Sequence, residues 1–193
     1  ALLSPISAFA ATTYSTHIVR SSACGKGGVR AYGSYALWSE SDYTELESGE
    51  PSPTAGRLVL FDAVSGTATT IGESTYGFPY YDIGPGYVAY EQPPVPGVRA
   101  DVRLYDIAHR TTSCLATLGV ETISPLACGD GFVAWPDGLL HVYDIASATE
   151  TTPAVGGEIV QLVADGDWLA WIEPPTVPEA RAKGRALNVP TGA

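Results

Sequence analysis

Methionine is absent from this chain, asparagine occurs once, at Asn188, and glutamine twice, at Gln92 and Gln161; lysine is confined to Lys26 and Lys183. Each shortage removes a class of protein. With a formal net charge of -11 and a pI near 4.5, the chain lacks the cationic footprint that a phosphate backbone requires, so nucleic acid is excluded as a partner. No apolar run is long enough for a membrane-spanning helix, so no transmembrane segment is expected. The single asparagine is followed by Val189 and Pro190, which leaves no N-glycosylation acceptor. A first residue Ala1 and no methionine fit the processed form of a secreted or cell-surface protein. Depletion of labile side chains suits hot conditions and a thermostable product, although a GC-rich genome imposes the same bias.

Catalytic patterns are equally scarce. Cys24, Cys114 and Cys128 share no C-x-x-C spacing and have no histidine cluster beside them, which supports neither a zinc site nor a redox pair. His17, His109 and His141 are scattered, and no G-x-S-x-G, H-E-x-x-H or phosphate-binding loop occurs; "CGKGGVR" at Cys24 to Arg30 lacks the required spacing and leads into a strand. No catalytic residue and no resident cofactor is assigned.

Glycine (21), proline (15) and tyrosine (11) are plentiful, and no stretch of ten residues has helical periodicity, which makes the chain all-β. Its 193 residues, 45% hydrophobic, suffice for one well-cored domain. A short strand closing on an aromatic recurs four times: "YGSYALW" ends at Trp38, "GPGYVAY" at Tyr90, "GDGFVAW" at Trp135 and "DGDWLAW" at Trp171. The intervals of 52, 45 and 36 residues, with at least two strand signals in each, are those of β-propeller blades, four antiparallel strands A to D arranged radially. Blades are expected at about 24–73, 76–118, 122–156 and 158–193, after an N-terminal arm over 1–20, with the unequal spacing taken up by the B-to-C loop, longest in "SESDYTELESGEPSPTAG".

These units resemble WD40-like and TolB-like propeller repeats in Gly86, Tyr87, Val88 and Tyr90, in Leu104, Tyr105 and Asp106, and in the equivalents of the other copies. The likeness extends from about residue 24 to 193. It implies the propeller architecture and no particular activity, because such repeats serve enzymes, receptors and scaffolds alike.

Within this frame Asp62, Asp106 and Asp144, with Asn188 in the last copy, end the C strands and are expected to accept backbone N–H bonds in the following turn. The aromatics that end the B strands are expected to pack between blades. One face would collect Glu40, Asp42, Tyr43, Glu45, Glu47, Glu50, Glu91, Asp137, Glu173 and Glu179; within it Asp42, Glu45 and Glu47 are the candidate ligands of a divalent cation such as calcium, against the plain alternative of solvated acidic loops.

The fourth copy stops after its C strand, one strand short. Upstream of the first blade, Ala11, Thr12, Thr13, Tyr14, Ser15, Thr16, His17, Ile18 and Val19 have the threonine-rich start of the D strands "TATTI" and "TTSCL". This segment is the expected missing strand, and Ala186, Leu187, Asn188 and Val189 its acceptor edge. Supplied from the same chain it closes a ring; supplied from a neighbour it links copies by strand addition into a fibre. The expectation is a non-catalytic, self-associating extracellular propeller with a structural or adhesive role. A monomeric module binding glycan, peptide or cation, and a propeller lyase or hydrolase, are the alternatives.

Overall fold

The computed structural model describes residues 25–26, 28–45, 51–75, 77–92, 99–119, 125–175 and 181–189. Sixteen strands and no helix occur among them, in four antiparallel sheets that follow one another along the chain. The first contains β1 (Gly25–Lys26), β2 (Arg30–Tyr32), β3 (Tyr35–Glu45), β4 (Pro51–Asp62) and β5 (Thr67–Ser74); β1 and β2 both pair with β3 and act as one interrupted inner strand. The second is β6 (Tyr81–Gly84), β7 (Tyr87–Gln92), β8 (Asp101–Asp106) and β9 (Thr111–Thr117). The third is β10 (Ala127–Cys128), β11 (Phe132–Asp137), β12 (Leu139–Asp144) and β13 (Thr149–Thr151). The fourth has β14 (Gln161–Asp165), β15 (Trp168–Glu173) and β16 (Lys183–Asn188), three strands among the described residues. Four consecutive meandering sheets with neighbouring inner strands are the blades of a β-propeller.

The expected long B-to-C loop of the first blade is a correction. Residues 39–45 and 51–56 continue the ladder, from Ser39 paired with Leu58 to Glu45 paired with Pro51, with a bulge between Asp42 and Tyr43. The bulge takes up one extra residue, Thr54, on β4, since Asp42 faces Ala55 and Tyr43 faces Pro53.

Three apolar layers join the four blades. Leu37, Leu58 and Leu60 of the first meet Ile83, Val88 and Tyr90 of the second. Ala89, Val102 and Leu104 of the second meet Cys128, Val133 and Trp135 of the third. Ala134, Leu140 and Val142 of the third meet Leu162, Leu169 and Trp171 of the fourth. Each blade is buried on both faces where it has a neighbour, because period-2 alternation sends every second side chain to one side. Burial of one such aliphatic or aromatic side chain contributes about 1.5–3 kcal/mol. The layers are thin enough that backbone meets backbone: a Cβ at Gly56 would lie 2.4 Å from Gly77 Cα, and one at Gly84 2.8 Å from Gly129 O.

The C-strand carboxylates cap the following turn as expected. Asp62 accepts from Val64 N at 2.9 Å, Asp106 from His109 N at 2.9 Å and Asp144 from Ser147 N at 2.7 Å. Hydrogen bonding to the charged form, first from Ser65 for Asp62 and from His109 for Asp106, holds both carboxyls below the usual carboxylate range. The residue after each C strand then bonds back to the A-to-B turn of its own blade: Ala63 N to Ser34 O, Ile107 N to Gly86 O, Ile145 N to Gly131 O and Val189 N to Asp167 O, all between 2.8 and 3.0 Å. The fourth of these places Asn188 in the same position as the three aspartates.

Candidate functional site

The four blades converge on one cavity. It has a volume of about 310 Å³ and is lined by Arg30 and Ser39 of the first blade, Tyr80 and Tyr81 of the second, Leu126 of the third and Gln161 of the fourth, among others. All but Ser39, which lies on β3, stand at or just before the start of an inner strand, so the cavity opens where the chain enters each blade. Its wall is fixed by Tyr81, whose hydroxyl donates to Gly28 O and lies within 3.4 Å of Ser39 Oγ. Arg30 Nε stands 4.0 Å from Asp82 Oδ1, whose other oxygen accepts from Cys128 N at 3.0 Å. Burial raises the Asp82 carboxyl above its usual range and pushes the Cys128 thiol up to about 12, with the neighbouring Asp82 charge adding to the latter.

A second arrangement repeats along the B strands, in which the aromatic expected at the strand end is instead the fourth residue of the strand. Trp38, Tyr90, Trp135 and Trp171 are 5, 2, 1 and 6% exposed, and the last three enter the interblade layers as expected. Two residues on stands a polar side chain that reaches the chain leaving the preceding blade. Gln92 Nε2 donates to Glu73 O at 2.9 Å, Asp137 Oδ2 accepts from Gly119 N at 3.3 Å, and Glu173 Oε1 accepts from Gly156 N at 3.0 Å. Glu173 also receives Trp171 Nε1 at 3.1 Å and Arg185 Nε at 2.8 Å. Those donors, Gly156 first, hold its carboxyl below the usual range. Glu40 has the matching partners in the first blade, Trp38 Nε1 at 3.0 Å and Arg57 NH2 at 3.3 Å.

This pattern corrects the expected acidic face. Glu91 and Glu173 are buried, and Glu40, Asp137 and Glu173 bind groups of the protein itself rather than lining an open rim. The i+2 spacing from each B-strand aromatic was present in the sequence, but the backbone groups met there, Glu73 O, Gly119 N and Gly156 N, lie 19, 18 and 17 residues earlier in the chain. Of the proposed cation ligands, the backbones of Asp42 and Glu45 lie on β3, opposite Ala55 and Pro51; their side chains, and all of Glu47, lie outside the described residues. No group of three His, Cys, Asp or Glu suited to a metal occurs among the described residues.

The segment expected to be the assembly strand, Ala11–Val19, lies outside the described residues as well. Its expected acceptor does not: Ala186, Leu187 and Asn188 pair with Ala170, Leu169 and Trp168 on one side, and among the described residues no strand pairs with the other edge of β16. On the adjoining outer face of the fourth blade, Val163 is 51% and Trp168 55% exposed.

No protein-family model matches the chain, and no curated protein matches its sequence. Solved structures share its fold. The β-propeller domain of the Trilobed protease from Pyrococcus furiosus, described as having an open velcro topology, matches with a TM-score of 0.57 at 9% identity, over 84% of this chain and 53% of that one. Puromycin hydrolase matches with a TM-score of 0.57 at 14% identity, over 85% of this chain and 27% of that one. An oligogalacturonate lyase in complex with manganese matches with a TM-score of 0.51 at 12% identity, over 80% and 47%. The chain thus spans about half the length of the first and third and about a quarter of the second.

Proposed function

We propose that this chain is a non-catalytic, secreted or cell-surface propeller with a structural or adhesive role, a self-assembling filament subunit in which residues 11–19 of one copy complete the fourth blade of the next. The fourth sheet carries the reading: among the described residues it has three strands where the second and third have four, and no described strand pairs with the outer edge of β16 over Ala186 to Asn188. Such an edge invites strand addition. In the complete blades the D strand begins with threonine opposite the C-terminal aspartate, as Thr67 with Asp62, Thr111 with Asp106 and Thr149 with Asp144. The threonines at Thr12 and Thr13 suit the same place opposite Asn188. A contact of this kind joins two different surfaces, so it propagates unless its rotation closes a ring.

Light scattering and negative-stain imaging across a concentration series test the reading. Polymers are expected from the full chain and their loss after deletion of residues 1–20, with the truncated protein binding a synthetic peptide of residues 1–20. A full chain that is monomeric at every concentration overturns it.

A second reading rests on the axial cavity, into which all four blades send residues. A convergent concavity of mixed polar and apolar lining is where a small ligand binds a propeller-shaped scaffold, and the module would then act as a monomer. Titration of the monomer with glycan and peptide panels, read at Tyr80 and Tyr81 by NMR, discriminates it from assembly.

A further inference from the structure

The fourth blade differs from the others at two C-strand positions. Four and two residues before the terminal Asp or Asn, the blades carry Leu58 and Leu60, Val102 and Leu104, Leu140 and Val142, and finally Gly184 and Ala186. The first three pairs are buried in interblade layers, whereas Gly184 and Ala186 are exposed. The substitution leaves a hollow of about 450 Å³ on the outer face, bordered by Val163, Ala170 and Ile172 as well. Solvent alone would favour polar residues on such a face; small apolar ones beside an exposed Val163 and Trp168 fit a surface that something covers.

We infer that this face is the docking surface for residues 1–10 of the neighbouring copy, the segment that precedes the donated strand; the inference rests on strand donation. Register decides the direction. A strand that starts opposite Asn188 starts in the row of Trp168, because Trp168 and Asn188 are paired. Residue 10 therefore emerges at the exposed indole, at one end of the open face. From the Trp168 row to the Ile172 row is four residues, about 13–14 Å at the rise of a β-strand. Ten residues span roughly 33 Å when extended, so the segment reaches across the hollow with chain to spare. Its chemistry also matches: Leu2, Leu3, Ile6 and Phe9 are large and apolar, and no side chain of residues 1–10 is charged. Large side chains from the segment fill the space that glycine and alanine leave, which restores on this face the aliphatic layer that the other blades build from their own C strands.

The test uses the full chain carrying a benzoylphenylalanine photo-crosslinker at Phe9 or, separately, at Tyr14, assembled from equal parts of isotopically heavy and light protein. Phe9 is expected to cross-link to the strands bearing Val163, Ala170 and Gly184, and Tyr14 to β16, with both products joining heavy to light chains. Gly184→Leu puts a large side chain into the hollow, and its Cβ meets nothing within 4 Å. It should abolish the Phe9 product and leave the Tyr14 product intact. Phe9 products on any other surface, or a Phe9 product indifferent to Gly184→Leu, overturn the inference while heavy-to-light Tyr14 products keep strand donation standing. Products confined within single chains overturn both.

Discussion

Two turns hold a residue with a side chain in the left-handed region, Arg110 at φ 55° and Ala148 at φ 53°, and both occupy the place that Gly66 fills at φ 69° in the first blade. In each case it is the fourth residue after the C-strand aspartate, and the turn is closed around it: Gly66 N bonds Asp62 O and Arg110 N bonds Asp106 O, both at 2.8 Å. A left-handed conformation costs an L-residue about 1–2 kcal/mol. Glycine avoids that strain and gives back about 0.5–1 kcal/mol through its freer unfolded state. Ala148→Gly should therefore stabilise by roughly 0.5–1 kcal/mol, or about 1–4 °C in Tm for a chain of this size. Arg110→Gly should do the same, less whatever packing its side chain gives. The two sites lie in different blades, so their effects should add. Thermal melts followed by circular dichroism decide it, with two controls inside the repeat. Gly66→Ala should lose about what Ala148→Gly gains, and Ala146→Gly, in the same turn but outside the left-handed region, should cost about 0.5–1 kcal/mol. If Ala148→Gly destabilises as Ala146→Gly does, the strain argument is wrong.

Acid titration of stability should report Glu173. Its carboxyl titrates below its unfolded value, so its contribution is present above that value and is lost as pH falls through the native one; Glu173→Gln should flatten the acid limb of a Tm-against-pH curve. Thiol labelling should separate the described cysteines: Cys114 is exposed and should react at pH 8, while Cys128, buried and pushed up to about 12, should stay inert until the protein unfolds. Leu140→Ala should cost about 2–5 kcal/mol in urea denaturation, because the residue is fully buried between the third and fourth blades. Gly56→Ala should exceed the typical loss for a surface site by several-fold, since its Cβ meets the backbone of Gly77, which no rotamer change can clear.

The blades were legible because their signals are local. Two-residue turns with glycine at Gly33, Gly86, Gly131 and Gly166, an aromatic as the fourth residue of the next strand and an Asp or Asn ending the one after recur within each unit, and all of these occupy equivalent places in the fold. The ladder over 39–45 and 51–56 was missed because proline-rich sequence reads as loop, while pairing between β3 and β4 holds Pro51 and Pro53 in strand. The role of Glu173 was hidden for another reason. A carboxylate at a strand end looks like solvated charge until the fold delivers Gly156 N and Arg185 to it from elsewhere in the chain. The axial cavity was not legible either, since its lining residues are ordinary in each blade and acquire meaning only by convergence.

The bond from each residue after a C strand back to the A-to-B turn of its own blade runs entirely between main-chain atoms. Ala63, Ile107, Ile145 and Val189 make it with equal competence, and so do the acceptors Ser34, Gly86, Gly131 and Asp167. A clasp that asks nothing of the side chain leaves mutation free to act on both its ends. A copied blade can drift in sequence and still bring its first turn against its third strand, so ancestry fades from the letters long before it fades from the shape. A fold held by such main-chain bonds can be shared with solved propellers at 9 to 14% identity while no family model matches the chain.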